Sequence, residues 1–114
     1  MNKVSFDGIG EVAATFYADE TVVPGQVVKV GGDSAVTACG DGDVFCGVAL
    51  SNERGCAGVQ VRGFLTLPWE GIAPAAGPAI LAADGKGGVK TAESGVACTV
   101  IHADGAAKTI VGLI

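Results

Sequence analysis

No cluster of lysine or arginine occurs in this chain of 114 residues, whose seven basic residues face twelve acidic ones for a formal net charge of -5. Binding to nucleic acid by counterion release needs a basic face, and seven scattered cations do not build one. The same shortage disfavours an anionic membrane surface. No apolar run approaches the length of a membrane span, and the N-terminal MNKVSFDGIGE has no apolar signal core. The expectation is therefore a protein made and kept in a cytoplasm. The four cysteines, Cys39, Cys46, Cys56 and Cys98, form no CxxC pair, and one histidine accompanies them, which argues against a zinc site. Missing too is any segment that keeps a 3.6-residue apolar period over a helix-length window.

What is present points in one direction. Nineteen glycines and a hydrophobic fraction of 49% rich in Ala and Val, with 17% charged residues and 5% aromatics, describe small side chains, many turns and thin layers. Disorder requires the opposite balance of hydrophobicity and charge. A chain of this length buries roughly two-thirds of its unfolded surface in one core, so the four thiols read as buried and reduced rather than as two disulfides.

The stretch FCGVALSNERGCAGVQVRGFLTLPW at 45–69 organises the rest. Its second half, 57–67, alternates as a half-buried strand, with Val59, Val61, Leu65 and Leu67 on one side and Gln60, Arg62, Phe64 and Thr66 on the other. Phe64 on that polar side either packs under a loop or belongs to a surface meant for a partner. Further strands are predicted at 11–17, 26–31, 34–39, 44–50, 79–83, 87–91, 96–101 and 107–114. Turns at Pro24-Gly25, Gly31-Gly32, Asp41-Gly42-Asp43, Asp84-Gly85 and Asp104-Gly105 separate most of them. Gly47 inside one strand signals a bulge or a close backbone approach. About nine short, mostly antiparallel strands at this spacing predict an all-β fold, a small barrel or sandwich, as a single domain over 11–114 after an N-terminal arm at 1–10. The alternative adds one short helix in the loop at 70–80.

No constellation carries catalysis. His102 at a hairpin edge and the cysteines have no spacing that joins a nucleophile to a base. The carboxylates Asp41 and Asp43, and Asp19 and Glu20, lie in turns where aspartate caps its own backbone. The glycine-rich GGD and DGKGG lack the spacing of a phosphate cradle. Lys86, in ADGKGG, sits where a carrier domain holds its modified lysine, without the flanking residues such domains have. Neither a cofactor nor a metal is expected, and no enzymatic activity. What remains is apolar material in poorly covered places: Val4, Phe6 and Ile9 in the arm, Phe64 in the strand, Trp69, Ile72 and Pro74 in the following loop, which either meet another chain or, for Trp69, lie buried where the loop at 68–78 folds back over one barrel end.

VVPGQVVKVG, then FCGVAL, then VQVRGFLTLP, then GPAILAADGKGGVKT and a final short strand form an ordered set over residues 20–114. In this it resembles the small β-barrel capsid decoration, or head cement, proteins of tailed phages and prophages, in which a strand like 61–68 and a hairpin like 79–91 recur in this order. The arm MNKVSFDGIGEVAATFY lies outside the resemblance. The resemblance implies a virion protein that binds the outside of an assembled head and reinforces it. Its expected partners are itself, as a homo-oligomer with a trimer as one form, and the major capsid protein lattice, with no nucleic acid or membrane. It would occupy the host cytoplasm before assembly and the capsid surface afterwards. On this reading residues 2–10 order on a partner, Phe64, Trp69 and Ile72 supply apolar contact, and Arg62 and Glu70 form the rim. The alternatives are another head-completion or tail component that forms a ring and, from a different class, a small hydrolase or carrier domain.

Overall fold

Proline, glycine and aspartate at close intervals keep every segment short. In the computed structural model, which describes residues 10–114, these segments form ten β-strands in two sheets, with no helix among the described residues. The first sheet is a closed barrel of β1 (Val12–Ala18), β2 (Val27–Gly32), β3 (Ala35–Ala38), β4 (Gly47–Ala49) and β5 (Cys56–Arg62), in the order β1-β3-β2-β4-β5. The second holds β6 (Phe64–Pro68), β7 (Gly77–Ala83), β8 (Val89–Thr91), β9 (Val96–Asp104) and β10 (Thr109–Leu113), in the order β6-β10-β9-β7-β8. Every ladder is antiparallel except that of β1 with β3.

The all-β barrel expected from turn spacing is present, and the predicted strand 57–67 is two strands. The break falls at Gly63, whose φ of +100° turns the chain out of the barrel and into the second sheet. Gln60, predicted on the polar side, is buried at this joint. Its Nε2 donates to the carbonyl oxygens of Arg62 at 3.3 Å and Phe64 at 3.1 Å, so one amide splints both sides of the break. The C-terminus closes the joint from beyond β10, where Ile114 N donates to Gly63 O at 3.1 Å. In consequence β6 lies at the edge of the second sheet, although the stretch it belongs to organises the sequence.

Two apolar clusters result, and β2 and β4 are the wall between them. Leu65, Leu67, Leu81, Val100 and Ile110 gather on the second sheet together with Val27, Phe45 and Val48 from the barrel side. Val22, Val28, Val36, Ala49, Ala57 and Val59 fill the barrel. Successive residues of a strand face opposite ways, so Val27 serves one cluster and Val28 the other, and Val48 and Ala49 divide likewise. A strand buried on both faces has no place for a polar alternate, which accounts for the paired valines. At Gly47 the predicted close approach is real: a Cβ there would overlap the carbonyl oxygen of Gln60 on the neighbouring strand. The two Asp-Gly turns also form as expected. Asp84 Oδ1 accepts from the backbone N–H of Lys86 at 2.7 Å and of Gly88 at 3.1 Å, and Asp104 Oδ1 from Ala106 at 2.9 Å and Ala107 at 3.1 Å.

Candidate functional site

The residues singled out for partner contact separate into four groups, of which the last is buried. Val4, Phe6 and Ile9 lie outside the described residues. Arg62, Glu70 and Ile72 are exposed, and Ile72 at 90% is the most open large apolar side chain among the exposed ones described. Glu70 pairs across solvent with Lys86 at 3.6 Å. Phe64 is half-buried on β6, opposite Leu113 of β10.

Trp69 requires a correction. It is only 8% exposed and packs within the cluster of the second sheet, because β-type pairing with Val89 draws it inward beyond the end of β6. Its ring therefore offers no apolar contact to another chain. Trp69 Nε1 and Asp84 Oδ2 are both buried without a hydrogen-bond partner, and both residues line a small cavity of about 200 Å³ shared with Glu70, Lys86 and Lys108. The loop at 69–76 contains no helix, and its Pro74 is buried rather than open to a partner.

A surface that periodicity concealed lies on β1. Val12, Ala14 and Phe16 share one side of this strand, yet Val12, Ala13, Ala14 and Thr15 are exposed on both faces, and only Phe16 and Ala18 turn inward to the barrel cluster. Val12 is 51% and Tyr17 66% exposed. The signal available in the sequence was size, since Ala-Ala-Thr holds too little apolar area to anchor a strand by burial. The outward side of the second sheet adds a shallow groove lined by Pro78, Ile80, Ala97, Thr99 and Leu113.

The polar groups are engaged in holding turns. Asp19 accepts from the hydroxyls of Thr21 and Thr37, and these bonds, that of Thr21 foremost, hold its carboxyl below the usual range. Asp43 is lowered by its 2.6 Å bond from Lys29 Nζ and by the N–H of Gly40, and Asp104 by the N–H groups of Ala107 and Ala106. Lys90 bonds Asp41 at 2.6 Å. Among the described residues no group of three His, Cys, Asp or Glu side chains could hold a metal ion, and no helix is long and apolar enough to cross a membrane.

All four cysteines are free, but they are not all core thiols. Cys98 is buried, Cys39 and Cys46 are half-buried, and Cys56 is exposed where β5 begins, opposite the exposed Tyr17. Burial pushes the Cys39 thiol up to about 11, with Asp43 adding to it, and raises Cys46 and Cys98 as well. Since the thiolate is the reactive form, titration of the native protein with a disulfide reagent at pH 8 should show one fast thiol, Cys56, and three slow ones. Four equal rates would contradict the placement.

Comparison with protein-family models and with curated proteins finds no match to this chain.

Proposed function

We propose that the chain is a non-enzymatic structural protein of a tailed-phage or prophage virion, a capsid decoration protein that self-associates and binds the outside of the assembled head. The observation that carries this reading is β1, a strand whose residues 12–15 are exposed on both faces and bear no charge. A single copy leaves such a strand without the packing that normally holds one in place, and contact with another chain supplies it. Exposed Ile72 supports the same reading, and Arg62 and Glu70 stand near these apolar groups in sequence as a polar rim. A net charge of -5 suits the outer side of a head better than contact with packaged DNA. The order of motifs over residues 20–114 that resembles head cement proteins supports the lattice as the partner.

Pelleting with purified mature heads of the virus that encodes the protein tests the proposal. Saturable co-sedimentation is expected, with weaker binding by a chain lacking residues 1–10. Protein that stays in the supernatant at every head concentration would remove the decoration reading.

A further inference from the structure

β1 is joined to the barrel along one edge for its whole length and along the other only at its end. Its ladder with β5 runs from Val12 to Tyr17, whereas β3 meets it at Tyr17 and Ala18 alone. Two hydrogen bonds fix which way the backbone groups point. Ala18 N donates to Gly55 O at 2.8 Å on the β5 side, and Tyr17 N donates to Ser34 O at 2.9 Å on the β3 side. Alternate residues of a strand direct their N–H and C=O to alternate edges. Ala13 and Thr15 therefore present theirs on the β3 side, before β3 begins, and no strand among the described residues pairs with 12–16 there. Natural sheets blunt such an edge with lysine, proline or an inward charge, and VAATF has none of them.

We propose that this edge is a self-association site, at which residues 12–16 pair antiparallel with the same residues of a second copy about a two-fold axis through Ala14. That axis sets Ala13 against the second copy's Thr15 and Thr15 against its Ala13. Each such pair exchanges two hydrogen bonds, and the outward direction of these N–H and C=O groups is the one that the ladder requires. Val12 then faces Phe16 of the second copy on one side of the joined sheet, an apolar cross-strand pair, while Ala14 faces its own copy with no bulk between the strands. Glu11 falls opposite Tyr17, where Ser34 already holds the N–H and the ladder stops. The paired stretch 12–16 carries no charge and matches itself in this register, so two copies set no like charges directly opposite each other, and the acids Glu11 and Asp19 meet only diagonally beyond the last pair; this self-matching favours a second copy. The contact goes beyond the virion reading and needs no capsid.

Sedimentation equilibrium of the full chain over a wide concentration range tests it, together with two variants. Thr15→Pro removes an outward N–H without touching the β5 ladder, and a proline is tolerated at such an edge position. Ala14→Lys sets two ammonium groups against each other at the axis and, at an exposed site, keeps the test valid if the proline variant does not fold. The expected result is a dimer for the native sequence and a rise of at least about tenfold in its dissociation constant for both variants. A chain that is monomeric throughout, or an oligomer of any size that both variants leave intact, would overturn the proposal. So would a monomer that dimerises only after removal of residues 1–9, since the edge would then belong to the chain's own arm.

Discussion

Replacing Gly63 with alanine is expected to lower the unfolding free energy by about 2–6 kcal/mol, measured as a shifted urea midpoint at unchanged slope. Two separate effects add. At a φ of +100° any side chain is strained, by about 1–3 kcal/mol. The new Cβ would also lie 2.9 Å from Gly10 O and 3.0 Å from Glu11 Cα, backbone atoms that cannot swing aside, and overpacking of this kind costs about 1–3 kcal/mol. The damage falls where the barrel hands the chain to the second sheet, so the alanine also disturbs the splint that Gln60 makes to Arg62 and Phe64. Gly105 is the control. A Cβ there meets nothing within 4 Å, and Gly105→Ala should leave stability unchanged or raise it by up to about 1 kcal/mol.

Leu81→Ala is the second large effect, an expected loss of about 2–5 kcal/mol. Leu81 is fully buried in the cluster of the second sheet, on the strand that joins β9 to β8. Truncation leaves a cavity whose walls are held by ladders on both sides and can close only in part. Because Val27 and Val48 belong to the barrel yet pack in this same cluster, the loss should be felt by the whole chain in one cooperative transition. Two separate transitions would show that the wall between the clusters does not couple them. Ile72→Ala, at a side chain open to solvent, should stay within about 0.5 kcal/mol of the native protein.

Much of the fold was legible because turn chemistry is local. Asp84 and Asp104 cap their own hairpins through backbone N–H groups two to four residues on, and no distant contact is needed to predict that. Gly47 was legible for a similar reason, since a glycine inside an apolar strand run gives up side-chain packing and marks a bulge or a close approach of another backbone. The break at Gly63 was not. An alternation that runs from Val59 to Leu67 looks continuous until the backbone sign at one glycine is known, and the burial of Gln60 follows from that sign. Trp69 could be read as open or as buried, because the segment it pairs with is at Val89, twenty positions on in sequence. The candidate surface was legible only in part: Ile72 stands open as a proline- and glycine-flanked loop residue would. The exposure of β1 depends on where β3 starts, which the strand's alternation does not contain; only the small size of Ala-Ala-Thr pointed to it.

Whether the protein decorates the head is decided by electron cryomicroscopy of purified virions that carry it, compared with virions from which its gene has been deleted. A decoration protein gives discrete density outside the shell at repeating positions of the capsid lattice, lost on deletion and restored when purified protein is added to the deleted heads. Density confined to a single ring at the neck or tail, or identical reconstructions from both preparations, would contradict that role.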